Sequence, residues 1–248
     1  MAHGLIALVA SCLNIGLYTS PLNIAREIRL MKGTGAYSPI PYLAMALSCL
    51  FWDLYGWHVA ENAIMVPCTI GLAAACLTLT TFLQHLGQEK ESSVLCQYVA
   101  TVCIGITLLG WAFLMPPANK ATARLGLLGA ASSICMFASP FATIKQVIKE
   151  KNSASLPVPM VTMSVLCTTA WVMYGRAIGD NFLLVPNALG LGFALIQLSL
   201  AGIYPSREAH VAVRPGSSVA SGSRRESLGS QLNTTSFNSV TAGMAPGN

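Results

Sequence analysis

Apolar residues of this 248-residue chain fall into seven long stretches, separated by short breaks that carry polar residues, proline or glycine. A helix needs roughly 20 residues, within a range of about 17–25, to cross the ~30 Å hydrocarbon layer of a bilayer. Lipid offers the backbone no hydrogen-bond partners, so an open-chain span must be helical. The pattern therefore predicts an all-α membrane protein with seven transmembrane helices, and we expect a tilt or a local break in the short second one. The predicted spans are Leu5–Ile24, Pro41–Trp57, Ala63–Leu83, Val94–Met115, Leu125–Val147, Val158–Ile178 and Phe182–Tyr204.

The chain also repeats itself, because two of its portions carry the same residues in one register, 119 positions apart. Self-similarity at a fixed long offset is the signature of a duplicated unit. Each copy holds three spans, so the fourth span is needed to give both copies the same orientation in the membrane. The sequence thus predicts two parallel three-helix bundles joined by a linker helix, an arrangement of 3+1+3. The matching pairs are Ser20-Pro21 with Ser139-Pro140, Trp52 with Trp171, Tyr55-Gly56 with Tyr174-Gly175, Pro67 with Pro186, and Gly71 with Gly190.

These patterns divide the chain into four parts. Residues 1–86 form the first repeat, residues 87–120 the linker helix with its loops, and residues 121–204 the second repeat. Residues 205–248 are rich in Ser, Gly, Ala, Asn and Thr and poor in large apolar residues, which is typical of a disordered segment. We expect this last part to be a cytosolic tail.

Composition and charge fit a membrane class and set the orientation. The chain is 54% hydrophobic and only 9% charged, whereas a typical soluble domain is about 25% charged. With the N-terminus outside, 11 of the 14 basic residues lie on the cytosolic side, and only Lys120, Arg124 and Arg176 lie outside. Because Lys and Arg are enriched in cytosolic loops, we expect an outer N-terminus and a cytosolic C-terminus. The plasma membrane is the default location, with an endomembrane as the alternative.

Four residues within the spans are candidates for binding a solute. At 1.5 Å per residue, Trp52, Cys68, Trp171 and Asn187 lie roughly 7–10 Å inward of the outer helix ends, in one layer. Two indole faces suit the C–H faces of a pyranose ring, and the Asn amide both donates to and accepts from hydroxyls. The competing interpretation is that the tryptophans pack or anchor at the interface, and that Asn187 hydrogen-bonds between helices.

Four prolines form a second set of candidates, near the cytosolic ends of the first and second spans of each repeat. Proline removes a backbone donor and kinks a helix, so kinks at four corners would let the bundles flex about a central site. Prolines at helix starts are also common without any such role. The candidate hinge residues are Pro21, Pro41, Pro140 and Pro157.

Polar residues near the outer helix ends are candidates for a gate. Contacts between the hydroxyls of Tyr55 and Tyr174 and the carboxylate of Asp180 would close the outer side, although anchoring of the tyrosines at the interface competes. Asp53 is the only acidic residue well inside a span. An intramembrane carboxylate is a functional candidate by default, here a proton site, but Asp53 is close enough to the outer end to reach water.

An intramembrane enzyme would need paired carboxylates or histidine ligands in its spans. The four histidines lie outside the predicted spans, and Asp53 has no acidic partner. The eight cysteines lie in apolar stretches without a Cys-x-x-Cys pair, which favours buried thiols over a disulfide framework or a metal site. We therefore expect no catalysis, no metal, no cofactor and no nucleic-acid partner.

The membrane part, from Leu5 to Tyr204, resembles the SWEET sugar transporters (the MtN3/saliva type). This resemblance implies a uniporter that moves mono- or disaccharides in both directions by alternating access, with the sugar and the bilayer as partners and homo-oligomers as a frequent state. It implies that Trp52, Trp171 and Asn187 face the sugar, that the four prolines form the hinge, and that Tyr55, Tyr174 and Asp180 form the outer gate. The matching strings are Thr19-Ser20-Pro21-Leu22, Pro41-Tyr42, Trp52 to Tyr55-Gly56, Ala138-Ser139-Pro140-Phe141, Trp171 to Tyr174-Gly175, and Val185-Pro186-Asn187 to Gly190.

One position departs from the family pattern, in which the third span carries Asn as the seventh does. Here Cys68 stands at that place, after Pro67. A thiol is a weak hydrogen-bonding group beside an amide, and one neutral hydrogen bond is worth about 0.5–1.5 kcal/mol, or roughly 2- to 13-fold in affinity. Transport is still expected, but the sugar preference does not follow from the family. The alternatives are a proton-coupled transporter of another small solute and a membrane scaffold that transports nothing.

Overall fold

The structure is a computed structural model that describes residues 2–87 and 91–206. Most of the predicted cytosolic tail therefore lies outside the described residues. The described residues form α1 (Ala2–Thr19), α2 (Pro21–Met31), α3 (Ile40–His58), α4 (Asn62–Gln84), α5 (Glu91–Leu114), a short 3₁₀ helix (Ala118–Lys120), α6 (Ala121–Met136), α7 (Ala138–Glu150), α8 (Val158–Ile178) and α9 (Asn181–Ile203).

Six helical stretches are long and apolar enough to cross a membrane, and they coincide with six of the seven predicted spans. The remaining one, α3, has 19 residues and includes Asp53 together with several aromatic residues. It runs unbroken from Ile40 to His58, so the local break considered for this span is not found. Helix α3 buries Tyr42, Phe51 and Trp52 against its neighbours. The prediction of an all-α protein with seven membrane helices is confirmed.

Two predicted spans are each divided into two helices. Helix α1 ends at Thr19 and α2 begins at Pro21, whereas α6 ends at Met136 and α7 begins at Ala138, two residues before Pro140. Proline cannot donate to the preceding turn, and its ring collides with that turn's carbonyl. The two breaks therefore coincide with the two Ser-Pro pairs of the repeat.

The helices pack as two bundles that exchange equivalent contacts. Helices α1, α2 and α3 pack on α4 in the first bundle, and α6, α7 and α8 pack on α9 in the second. Between the bundles, α1 packs on α8 and α3 packs on α6. These two interfaces are equivalent under the duplication, because each joins the first span of one repeat to the second span of the other. The linker helix α5 packs on α3 and α6, so it lies away from the axis between the two bundles.

The core between the bundles is aromatic. Phe51, Trp52, Trp171 and Tyr174 are at most 5% exposed and belong to one cluster with Leu125. Much of the outward surface of the helices is also apolar, as expected of helices that face lipid. The buried aromatic residues of α3 and α8 thus point toward the bundle interface, where a central site would lie.

Polar contacts hold the predicted cytosolic corner of the first repeat. The Tyr37 hydroxyl donates a hydrogen bond to the Glu27 carboxylate, and burial, followed by the neighbouring Glu27, raises the pKa of Tyr37 above its ordinary value. Arg29 Nη2 donates to Thr81 Oγ1 over 3.2 Å. These contacts join α2 to α4 and to the loop that leads into α3, where Pro41 occupies the first turn.

Candidate functional site

A central cavity of about 140 Å³ lies between the two bundles. It is several times larger than the roughly 30 Å³ that one water molecule takes up in the liquid. All four residues of the predicted layer, Trp52, Cys68, Trp171 and Asn187, line this single cavity. The sequence therefore identified residues that the fold brings together. Its other lining residues are Asn14, Leu17, Tyr18, Ile64, Ser133, Ser164, Cys167, Thr168 and Leu183.

The two tryptophans are fixed in equivalent ways. Trp52 meets Tyr55 edge-on with ring centroids 5.6 Å apart, and Trp171 meets Tyr174 in the same manner at 5.9 Å. The Trp52 ring also lies against the backbone of α6, because a Cβ added to Gly129 would come within 2.9 Å of the ring. Rigid, nearly buried indoles of this kind present flat apolar faces to the cavity at little conformational cost.

Asn187 and Cys68 occupy equivalent places but offer different chemistry. Asn187 Nδ2 donates a 2.8 Å hydrogen bond to the Leu183 carbonyl oxygen, which leaves its amide oxygen and second N–H for other partners. Cys68 is only 3% exposed, and its thiol is a weak donor and acceptor. Each follows a proline inside its helix, Pro67 in α4 and Pro186 in α9. The wall formed by α4 is thus less polar than the wall formed by α9.

Sequence reasoning missed several polar residues that line the cavity: Asn14, Tyr18, Ser133, Ser164 and Thr168. Each is a polar residue embedded in an apolar stretch, where composition alone does not mark it. The repeat offered a signal for two of them, since Ser133 follows Asn14 by 119 positions. Ser133 Oγ accepts a 3.0 Å hydrogen bond from Trp52 Nε1 and donates to the Gly129 carbonyl oxygen over 3.0 Å.

Two hydrogen bonds cross between the repeats at the predicted outer end, and we call them the outer latch. Tyr55 Oη donates to Asp180 Oδ2 over 2.7 Å, and Tyr174 Oη donates to Glu61 Oε2 over 2.7 Å. Three of these four residues were predicted from the sequence, whereas Glu61 was not. The offset of 119 positions that relates Tyr55 to Tyr174 also relates Glu61 to Asp180, so the repeat contained the signal.

The turns that connect α3 to α4 and α8 to α9 hold the latch carboxylates in place. The Glu61 N–H donates to the Gly56 carbonyl oxygen over 2.8 Å, and the Asp180 N–H donates to the Gly175 carbonyl oxygen over 2.9 Å. A Cβ on Gly56 or Gly175 would lie 3.0 or 3.1 Å from a backbone nitrogen of the next helix. Glycine thus allows each helix pair to approach closely at the point where its acidic residue begins the next helix.

Asp180 has a further role as a helix cap. Its Oδ1 accepts hydrogen bonds from the N–H groups of Phe182 and Leu183, over 2.9 and 3.2 Å, at the start of α9. A carboxylate is favoured there because the first N–H groups of a helix lack partners and carry partial positive charge. The cap orients the carboxylate, so that Oδ2 faces the Tyr55 hydroxyl.

The four candidate hinge prolines lie at helix starts rather than in the cavity lining. Pro21 is the first residue of α2 and Pro140 the third of α7, whereas Pro41 lies in the first turn of α3 and Pro157 immediately precedes α8. Helix-start geometry accounts for Pro41 and Pro157 locally. Pro21 and Pro140 coincide with breaks in continuous spans, which gives these two the local geometry that a hinge requires.

Asp53 is not among the residues that line the cavity. It is half-buried on α3, and its Oδ1 accepts a 2.7 Å hydrogen bond from the exposed Thr69. Among the described residues, no group of three or more His, Cys, Asp or Glu side chains is placed to hold a metal ion. The polar groups in the cavity lining are amides, hydroxyls, thiols and indole N–H groups, which suit a neutral, hydroxyl-rich solute.

Comparison with known proteins gives consistent matches. A family model described as "Sugar efflux transporter for intercellular exchange" matches the chain twice, over residues 4–90 and 123–209. The protein named Sugar transporter SWEET1 of Drosophila pseudoobscura pseudoobscura is 30% identical over 84% of this chain and 92% of its own. Bidirectional sugar transporter SWEET7 of Arabidopsis thaliana is 29% identical over 81% of this chain and 80% of its own.

The fold agrees with that of a solved relative. The structure of a eukaryotic SWEET transporter superposes with a TM-score of 0.74 at 24% identity, covering 82% of this chain and 96% of that chain. The linker helix α5 lies in the gap between the two stretches that the family model matches. Because the family model matches most of the chain, once in each repeat, the chain belongs to the family of sugar efflux transporters for intercellular exchange, the SWEET family.

Proposed function

We propose that this protein is a uniporter that carries mono- or disaccharides in both directions across a membrane by alternating access. The observation that carries the proposal is the cavity between the repeats, which both Trp52 and Trp171 line together with Asn187. Indole faces stack on the C–H faces of a sugar ring, and the amide exchanges hydrogen bonds with its hydroxyls. The names of the relatives support the same substrate class.

Alternating access requires that one side of the site closes while the other opens. The outer latch joins the repeats at one end. Ile64 and Leu183 lie one helical turn inward from the latch carboxylates, and these buried apolar side chains line the cavity at that end. We propose that the described conformation is the inward-facing state. The breaks at Pro21 and Pro140 are the points at which the first and fifth spans bend when the latch opens, with Pro41 and Pro157 at the neighbouring helix starts.

The transport is passive in this proposal. An ion-coupled carrier needs a group near the solute that binds the ion reversibly, and the described cavity lining contains no carboxylate, histidine or basic residue. Asp53 lies on another surface of α3 with Thr69 as its partner. The sugar gradient alone then supplies the driving force, and flux runs in whichever direction the gradient sets.

We also propose the boundaries of the repeats and the orientation, location and association of the protein in the membrane. We place the first repeat at residues 1–86, the linker helix with its loops at residues 87–120 and the second repeat at residues 121–204. The N-terminus faces outward and the C-terminus the cytosol, in the plasma membrane, and we propose that the protein associates into homo-oligomers. A tag on Met1 that reacts only from the cytosolic side of intact cells would reject this orientation.

Uptake into liposomes tests the function directly. Purified protein is reconstituted, and the entry of labelled glucose, galactose, fructose and sucrose is measured alongside protein-free liposomes. We expect saturable entry of at least one sugar up to equilibrium, and an equal exit rate when the gradient is reversed. Absence of flux for every mono- and disaccharide would favour a scaffold, and accumulation beyond equilibrium under an imposed pH gradient would favour a proton-coupled carrier.

A further inference from the structure

The starting observation is a pair of aromatic rings that the duplication relates. Tyr18 at the end of α1 and Phe137 at the end of α6 lie 119 positions apart. A Cβ on Gly71 would come within 2.6 Å of the Tyr18 ring, and a Cβ on Gly190 within 3.1 Å of the Phe137 ring. Each ring therefore packs on a bare glycine of its own repeat. Phe137 shows that this packing needs no hydroxyl. The hydroxyl of Tyr18 instead hydrogen-bonds to the side chains of Asn14 and Cys49.

The Tyr18 side chain lies beside Asn14, one helical turn earlier on α1, and near Cys68 of α4 and Cys167 of α8. Both Asn14 and Tyr18 line the cavity, whereas Phe137 does not. The Asn14 amide oxygen accepts a long contact of 3.9 Å from the Cys167 thiol. A thiol is a weak donor, so the amide oxygen keeps capacity for a solute hydroxyl, and of the two amide N–H groups one is engaged by Tyr18.

The equivalent groups of the second repeat are already engaged. Ser133, the counterpart of Asn14, accepts from Trp52 Nε1 and donates to the Gly129 carbonyl oxygen, each over 3.0 Å. Also in the second repeat, Asn187 supplies an amide at the position where the first repeat has Cys68. Each repeat thus offers the cavity one amide, but from different helices: α9 in the second repeat and α1 in the first.

We infer that Asn14 and Tyr18 form the sugar-recognising polar face of the first repeat and replace the amide that position 68 lacks. This inference rests on the proposed function and names the residues that determine which sugar is accepted. The amide of Asn14 donates to and accepts from a hydroxyl, and the phenol of Tyr18 does the same. Because α1 and α4 approach the cavity from different directions, the hydroxyl that they select differs from the one an Asn at position 68 would select.

The test compares Tyr18→Phe and Asn14→Ser with the wild type in the liposome uptake assay. Tyr18→Phe makes the first repeat resemble the second, where Phe137 packs without a hydroxyl, and Asn14→Ser copies Ser133. We expect each substitution to raise the half-saturating sugar concentration by about 2- to 13-fold, the range for one neutral hydrogen bond, with little change in maximal rate. Phe137→Tyr is the matched control and is expected not to restore the affinity lost in Tyr18→Phe.

Two further measurements separate recognition from packing. With singly deoxygenated forms of the transported sugar, the penalty of Tyr18→Phe should vanish for the one analogue that lacks the partner hydroxyl, which a merely structural role would not produce. Adding Cys68→Asn to Asn14→Ser should recover affinity and shift the deoxy-sugar profile. The inference alone would be overturned if the wild type transports sugar but both single variants keep its half-saturating sugar concentration and its deoxy-sugar profile. A wild type that transports no sugar would overturn the proposed function and this inference together.

Discussion

The phenolic hydroxyl of Tyr174 donates a 2.7 Å hydrogen bond to the carboxylate of Glu61 in the other repeat. The duplication produces an equivalent contact, in which Tyr55 donates to Asp180 over the same distance. Each repeat therefore contributes one hydroxyl and one carboxylate to the outer latch. The two bonds must break together for the outer end to open, because both span the same interface.

Removing the latch hydroxyls should favour opening to the outside. Hydrogen bonds to charged groups are worth about 1.5–3 kcal/mol when well buried; Glu61 and Asp180 are half-exposed, so about 1 kcal/mol each is expected, or roughly fivefold in population. In Tyr55→Phe/Tyr174→Phe, a membrane-impermeant thiol reagent added outside should label Cys68 faster than in the parent. All other cysteines are replaced in both proteins.

Tyr98→Phe is the control for this experiment, because the Tyr98 hydroxyl donates to the Leu79 carbonyl oxygen on α4, away from the latch. It should leave the labelling rate of Cys68 unchanged. Equal labelling in the latch variant and in this control would mean that the two hydrogen bonds do not hold the outer end closed.

The duplication accounts for how much of the structure the sequence could predict. Apolar stretches long enough to cross a bilayer yielded the seven spans. The constant offset yielded the 3+1+3 arrangement and the pairing of Trp52 with Trp171. Glu61 was missed although the same offset points to it from Asp180. Tyr18 and Asn14 were missed because the cavity wall depends on which face of α1 meets α8, and helical periodicity is weak in a helix that is apolar on all sides.

The helix breaks at Ser20 and Phe137 show another limit of the sequence. Both spans were predicted as single stretches, yet each is divided next to a Ser-Pro pair. A proline can kink a helix, end it or start the next one, and the local sequence does not choose among these outcomes. Packing of α2 and α7 against α4 and α9 decides the geometry.

The paired tryptophans should both be required for transport. Trp52→Ala and Trp171→Ala each remove a nearly buried indole that lines the cavity. A buried aromatic side chain contributes about 1.5 kcal/mol or more. Loss of stacking on a sugar ring is therefore expected to reduce flux at low sugar concentration by at least about tenfold. Trp57→Ala is the matched control because Trp57 is 68% exposed. Surface expression of all three is measured by labelling a terminal tag. Normal flux in both cavity variants would remove the pocket from consideration.

Gly71 should tolerate a methyl group less well than its counterpart Gly190. A Cβ at Gly71 would lie 2.6 Å from the Tyr18 ring and 2.9 Å from Cys49 Sγ, whereas at Gly190 the nearest contact is 3.1 Å. Overpacking of a tight interior costs about 1–3 kcal/mol, so Gly71→Ala should lower the melting temperature in detergent more than Gly190→Ala. Gly192→Ala meets nothing within 4 Å and serves as the control. Equal melting temperatures in all three would contradict the close approach of Tyr18 to α4.

Neutralising Asp53 should leave the equilibrium level of transport unchanged. Asp53 hydrogen-bonds to Thr69 outside the cavity lining, so Asp53→Asn keeps a polar partner for that hydroxyl and removes only the charge. In vesicles with an imposed pH gradient, wild type and Asp53→Asn should both stop at equal internal and external sugar concentrations. Accumulation in the wild type that disappears in Asp53→Asn would identify a proton-coupled carrier.

The reactivity of Cys68 reports on whether the first repeat faces the sugar. Its side chain lines the cavity yet is only 3% exposed, so a small hydrophilic thiol reagent should modify it slowly, and at a rate that follows opening of the cavity to water. The experiment uses a background in which the other seven cysteines are replaced. Modification should block transport, and saturating sugar should slow the modification.

Cys68→Asn in the same background provides the decisive comparison. It should keep transport and lose sensitivity to the reagent, and it should change the order of sugar preference, because an amide adds a donor and an acceptor to the α4 wall. If Cys68 instead packs between helices without contacting the sugar path, the reagent has no effect on flux and sugar gives no protection. Asn at that position would then be buried without a partner and would reduce the amount of folded protein, at a cost of about 1–3 kcal/mol.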